Sequence, residues 1–248
     1  MPRTAASRRF SLHPAATSVS GSYIKFGDNF DFERTDARYV SFWLYADSLS
    51  SPQILISKAN VAPGYWINLN LNGKISFDLV NTFTTNELWM RTTSIVGESH
   101  VWNHIVVTYD GSSTPGGVVI YKNGVSLALD TVVNNLTSTT LNAVELNIGT
   151  YGNTNSQPMQ GNMTDVRIHD AALTSAQVLD LYYDNVAVSV IAHWPYTDNS
   201  GTTLTATTGG VNGTLVSSAA WKTMVPPHFG ARTAATARTV ATARTVAS

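Results

Sequence analysis

Val101-Trp102-Asn103-His104-Ile105-Val106-Val107-Thr108-Tyr109-Asp110-Gly111 leads into Val118-Val119-Ile120-Tyr121-Lys122-Asn123-Gly124-Val125. His104–Tyr109 and Val118–Lys122 are short, rich in β-branched and aromatic residues, and bounded by turn-forming residues, which is the pattern of strands. Asn123-Gly124 is the pair a two-residue hairpin turn prefers, because both central positions need a positive φ. Outward from this hairpin, Tyr39–Tyr45, Tyr65–Leu71 and Lys74–Leu79 repeat the strand texture, and Asn72-Gly73 predicts a second two-residue turn. Many short, evenly spaced strands predict an all-β sandwich of two antiparallel sheets rather than alternating βαβ units. Thr174-Ser175-Ala176-Gln177 is a capping box with Val178, Leu181 and Tyr182 behind it, and predicts one short helix on the sandwich rim. Trp43, Trp66 and Trp102 alternate with small or polar neighbours and are expected to face inward between the sheets.

The 248 residues suit one large β domain or two small ones. Only 12% are charged and 43% are hydrophobic, so a sizeable core is available and the chain is not disordered throughout. There is no cysteine, which excludes a disulfide framework, thiolate metal sites and a cysteine nucleophile. No apolar run approaches the roughly 18 residues of a membrane helix. No apolar segment follows the N-terminal arginines, so no secretory signal is expected.

The formal charge of −1 conceals a segregation. Arg3, Arg8 and Arg9 lie before residue 21, and Arg232, Arg238 and Arg244 lie after residue 225. Between those limits nine basic residues face all 16 acids, so an acidic body carries two basic ends. Residues 231–248 are three copies of a hexapeptide, Ala-Arg-Thr-Ala-Ala-Thr, Ala-Arg-Thr-Val-Ala-Thr and Ala-Arg-Thr-Val-Ala-Ser. A six-residue period puts every arginine on one face of an extended strand, whereas a helix would scatter them. Residues 1–20 and 226–248 are therefore expected to be extended arms flanking a sandwich over 21–225. The six arginines are the expected assembly-binding residues, docking on an acidic protein surface. Nucleic acid is disfavoured as a partner, because no aromatic residues interleave with the C-terminal arginines and the body is acidic.

Three segments carry a resemblance to a known family. The opening hairpin, Asn147-Ile148-Gly149-Thr150 with Gly161-Asn162-Met163-Thr164-Asp165-Val166-Arg167-Ile168, and Ser22–Phe26 with Val40–Leu44 fall in the order found in laminin-G-like, concanavalin A-like jelly-roll domains of the pentraxin-like branch. His193-Trp194-Pro195-Tyr196 through Trp221 is similar to a segment common after such modules. The resemblance implies a concanavalin A-like jelly roll. It also implies Ca²⁺ as a candidate cofactor, with Asp165 at a position that often supplies a ligand and Asp28 or Asp31 joining it. The alternative is that Asp165 caps a turn or pairs with Arg167.

The polar loop Asn147–Gln160 offers Tyr151 for stacking and Asn153 and Asn155 for hydrogen bonds to a glycan, or is an ordinary solvent-facing turn. No nucleophile elbow, phosphate loop or zinc motif is present, since Glu98 lies outside the His100–His104 pair. Paired carboxylates about 5–9 Å apart could serve a glycosidase, but only tertiary structure reports that separation. The leading expectation is a non-catalytic, lectin-like structural protein, present in several copies on a phage or virus particle as a capsid decoration or fibre protein and bound to other structural proteins through its arms. The alternative is an extracellular carbohydrate-binding module or adhesin that recognises cell-surface glycan.

Overall fold

The computed structural model describes residues 11–13, 22–152, 156–183, 189–217, 219–222 and 226. In chain order the strands are β1 (Ser11–His13), β2 (Tyr23–Lys25), β3 (Arg38–Ala46), β4 (Gln53–Lys58), β5 (Gly64–Leu69), β6 (Ile75–Thr82), β7 (Asn86–Thr92), β8 (Trp102–Tyr109), β9 (Val118–Lys122), β10 (Val125–Ser126), β11 (Leu129–Asn134), β12 (Asn147–Ile148) and β13 (Gly161–His169). Helix α1 (Ser175–Tyr182) then precedes β14 (Ala192–Trp194), β15 (Thr203–Leu204), β16 (Gly213–Val216) and β17 (Ala220–Lys222). The first sheet runs β10-β9-β8-β3-β13-β1-β17, with β14 also paired to β13. The second runs β11-β7-β6-β5-β4-β12-β2-β16-β15. The strands pair antiparallel throughout, and the two sheets enclose one core, as a jelly-roll sandwich requires.

Strand alternation fills that core. Val40, Phe42 and Leu44 of β3 meet Ile67, Leu69, Phe77 and Leu79 of β5 and β6 in a single buried cluster. Arg38, at the inner-facing end of β3, plugs one end of the interior. Its guanidinium lies 5.0, 5.1 and 5.2 Å from the rings of Phe32, Tyr65 and Tyr109, and Nη1 donates to the carbonyls of Glu33 and Asp36. Burial lowers its pKa to about 10, so at neutral pH the cation persists, supported by three aromatic faces in place of water.

In β13 Met163 pairs with Leu44 and Ile168 with Val40, and all four are in the core. Residues five apart in an unbroken strand would face opposite sides. Thr164 pairs with Trp43 and Arg167 with Ser41, so two β13 residues oppose one β3 residue, which is a β-bulge. The extra residue is absorbed at Asp165, whose φ of +54° is a left-handed conformation that Asp tolerates better than most side chains. Asp165 is clasped by Arg167, with Nη2 3.0 Å from Oδ2 and Nε 3.2 Å from Oδ1, and by Nε2 of His193 at 2.7 Å. The Asp165 and Arg167 side chains are each only 4% exposed.

Three sequence expectations change. Trp43 is buried on the outer face of the first sheet, 5.8 Å from the Tyr182 ring of α1, because its neighbours Phe42 and Leu44 take the inward positions. Trp66 lies on the outer face of the second sheet with Ile54, Ala59 and Val80, and Trp102 is half-buried beside Tyr45. The capping box forms between Thr174 and Gln177, but α1 covers a sheet face rather than the rim. Val178 and Leu181 pack there with Tyr39, Val106 and Tyr121. Asn123-Gly124 makes the expected two-residue turn, with φ of +53° and +83° and Val125 paired to Lys122. Asn72-Gly73 instead sits in a longer turn from Asn70 to Lys74.

Ser11–His13, within the span assigned to the N-terminal arm, joins the first sheet through β13 and β17. Ser11 pairs with Lys222, so the chain before residue 11 and the chain after residue 222 attach at the same end of adjacent strands.

Replacing Asp165 with Asn keeps a residue suited to the left-handed bulge but leaves the Arg167 charge buried without its carboxylate. Asp165→Asn should cost about 3–5 kcal/mol in urea denaturation, and most of that loss should be recovered in Asp165→Asn/Arg167→Met.

Candidate functional site

The outer face of the second sheet carries polar and aromatic side chains where its inner face is apolar. Tyr65, Ile67, Leu69, Ile75, Phe77, Leu79, Leu88 and Met90 occupy the core, so the alternating residues of β5, β6 and β7 point outward. Register aligns Trp66, Asp78 and Trp89 in one cross-strand row, and Asn68, Ser76, Arg91 and Asp130 in the next. At the end of these rows lies a groove of about 330 Å³ lined by Pro52, Asn70, Leu71, Asn72, Lys74, Trp89 and Arg91.

The Asn70–Lys74 turn builds one wall. Asn70 N–H donates to the Lys74 carbonyl at 2.7 Å, and Gly73 N–H donates to the Asn70 carbonyl at 3.1 Å. Asn72 and Gly73 both have positive φ, at +66° and +71°. A Cβ on Gly73 would lie 2.5 Å from the Gly97 carbonyl oxygen, so glycine is required there. The Gly73 carbonyl accepts from the backbone N–H of Val96 and Gly97 at 2.8 Å, which holds the turn in place. Leu71 is left 52% exposed beside Asn72.

Behind the groove runs a buried polar row. The Ser76 hydroxyl accepts from Asn70 Nδ2 at 3.1 Å, donates to Asn68 Oδ1, and lies 3.1 Å from Asp78 Oδ2. A hydroxyl has one proton. It can serve Asn68 Oδ1 or Asp78 Oδ2, the two acceptors within its reach. Burial holds the Asp78 carboxyl well above the usual range, reinforced by the charge of Glu87, itself raised by burial.

The carboxylates picked out in the sequence fall at two separate places, Asp165 at one and Asp28 with Asp31 at the other. Asp165 engages Arg167 and His193, whose Nδ1 is 3.0 Å from the Thr207 hydroxyl. This hydroxyl–imidazole–carboxylate line has the order of a catalytic triad, but the carboxylate is bound bidentately by Arg167, and it serves to fasten Thr207 to β13. Asp28 and Asp31 lie 2.7 and 3.0 Å from the buried Nζ of Lys58, which also donates to the Val144 carbonyl. Ca²⁺ needs several convergent oxygen ligands. Asp165 and Asp28 each face a cation instead and do not fit that ion, and among the described residues no three His, Asp or Glu side chains could hold a metal.

Tyr151 meets the Trp66 ring edge-on at 5.4 Å and donates its hydroxyl to the Val61 carbonyl at 2.7 Å. It thus borders the same sheet face as the groove. Asn153 and Asn155, and Arg3, Arg8, Arg9, Arg232, Arg238 and Arg244, lie outside the described residues. Sequence reading missed Trp89, Arg91, Asn70 and Lys74. The signal was the alternation Glu87-Leu88-Trp89-Met90-Arg91, in which the polar and aromatic set shares one face.

A family model of the concanavalin A-like lectin/glucanases superfamily matches residues 18–179, and the chain belongs to that superfamily. A candidate carbohydrate-binding protein from Bacteroides ovatus ATCC 8483 superposes with a TM-score of 0.61 at 16% identity, over 88% of this chain and 60% of its own. The heptameric SAP-like pentraxin of Limulus polyphemus superposes with a TM-score of 0.57 at 15% identity, over 85% of this chain and 97% of its own. At these identities the likenesses show the fold. The chain spans about 60% of the length of the Bacteroides protein. No curated protein matches the sequence. Among the described residues no helix is long and apolar enough to cross a membrane.

A raised carboxyl binds its proton more tightly in the folded than in the unfolded chain. The stability that Asp78 and Glu87 contribute is complete below their unfolded values, about 4, and is lost as pH rises through the folded values. This component of stability shrinks as pH is raised from acid toward neutral, so the urea midpoint of Asp78→Asn should gain on that of the unsubstituted chain over the same range.

Proposed function

We propose that the chain is a non-catalytic carbohydrate-binding module that holds a saccharide in the groove beside Trp89. The observation that carries this reading is the placement of one aromatic ring among Asn70, Asn72, Lys74 and Arg91 at a concave site. A pyranose has an apolar face that packs on an aromatic ring and a rim of hydroxyls that bond to amides and cations. The groove is near the small end of the about 300–1,000 Å³ range of ligand clefts, which suits a short saccharide. A longer chain would run along the row toward Trp66, Tyr151 and the exposed ring of Phe83, 5.5 Å from Trp66.

Membership in a superfamily of lectins and glucanases supports the reading. Hydrolysis is not proposed, because Asp78 and Glu87 are 3% exposed, which leaves Asp130 as the exposed carboxylate of these rows, and a glycosidase needs two that reach the scissile bond. Display on a phage or virus particle drew on the basic ends, which lie outside the described residues, and no comparison supports it.

Calorimetric titration against a panel of neutral and acidic oligosaccharides should find a ligand that is bound and not cleaved. Trp89→Ala, checked for folding by circular dichroism, should weaken that ligand at least about tenfold, equivalent to ~1.4 kcal/mol. Absence of any binder across the panel, or full affinity in the variant, would overturn the proposal.

A further inference from the structure

The groove holds cations without counter-charges. Among the described residues Lys58, Lys122 and Arg167 sit beside carboxylates, with Asp28 at 2.7 Å, Glu98 at 2.6 Å and Asp165 at 3.0 Å. Arg91 and Lys74 make no ion pair among the described residues, although Asp130 sits opposite Arg91 in the register of β11 and β7. Nε of Arg91 and Nε1 of Trp89 are both buried without an acceptor. No carboxylate lines the groove itself.

We propose that this site selects an acidic saccharide, one whose pyranose carries a carboxylate or a sulfate ester, with the anion held between Arg91 and Lys74 and the ring against Trp89. The inference rests on the carbohydrate-binding reading above and names its ligand class. A guanidinium meets either anion through two parallel N–H bonds, and charge-assisted bonds of this kind are about twice as strong as neutral ones. Lys74, on the turn that forms the opposite wall, adds a second positive charge without demanding a fixed angle. Asp78 and Glu87, in the rows behind, are buried and do not line the groove. Asp130 is exposed and remains the one acidic side chain set directly across from Arg91, so it opposes the ligand.

The test is titration of the full chain with three tetrasaccharides of matched length: a galacturonate, a sulfated galactan and a neutral galactan. At least one acidic sugar should bind about tenfold or more tightly than the neutral one, with the advantage shrinking as salt rises from about 0.05 to 0.5 M. Whichever acidic sugar is preferred identifies the anion. Arg91→Gln and Lys74→Gln should each weaken the acidic sugar several-fold more than the neutral one, while Asp130→Asn should increase the acidic advantage. Lys74 is on a surface turn, so its variant tests the idea even if Arg91→Gln unfolds. Equal binding of neutral and acidic sugars, or a preference that survives both substitutions, overturns acid selection while the carbohydrate-binding reading stands. If none of the three sugars binds but other members of the panel do, acid selection again falls alone, and if nothing binds at all, both fall.

Discussion

The sandwich depends on a change of parity in β13. That strand lies between β3 on one side and β1 and β14 on the other, so its side chains must stay in phase with the core along its whole length. Met163 and Ile168 can both face inward only because one residue is taken out of the alternation at Asp165. The bulge creates its own difficulty, since it leaves a carboxylate buried on the outer face. Arg167, two residues on and on that same face, neutralises it, and His193 from β14 closes the remaining side. One interaction thus supports the register of the central strand and the docking of β14, with Thr207 fastened through the His193 ring. A metal ion would have to displace that arginine.

The two sheets use their outer faces differently. The first is covered by α1, whose Val178 and Leu181 bury Tyr39, Val106 and Tyr121. The second has no helix on it among the described residues. Its outer rows become a buried polar line toward the middle and a groove at the Asn70–Lys74 turn. A fold that leaves one sheet face open needs polar or aromatic residues there, and the same residues are those a saccharide recognises. The functional proposal therefore falls on the second sheet, with β5, β6 and β7 supplying a rigid base.

Local features were legible in the sequence because their causes are local. Thr174 and Gln177 form a capping box since both partners lie within one helical turn. Asn123-Gly124 reverses the chain because both residues accept positive φ. Asn72-Gly73 shows where that logic stops: the same dipeptide sits in a longer turn, held by the Val96 and Gly97 amides from a distant loop. Alternation also has two phases, and a strand pattern does not say which phase faces the partner sheet. Trp43 and Trp66 were expected between the sheets and lie on the outer faces because Phe42 and Leu44, and Tyr65 and Ile67, take the interior.

The sequence by itself determined the class of fold, the helix and its cap, and the strand-forming segments, since propensity and periodicity act over a few residues. It also brought out Asp165 and Arg167 as a pair, one of two readings of that aspartate. Only the tertiary structure decided that this pair closes a bulge, that Lys58 takes Asp28, and that Trp89, Arg91 and Lys74 share a groove. Those groupings join residues from different strands and turns, and burial and register across the sheets, which no local pattern encodes, bring them within reach.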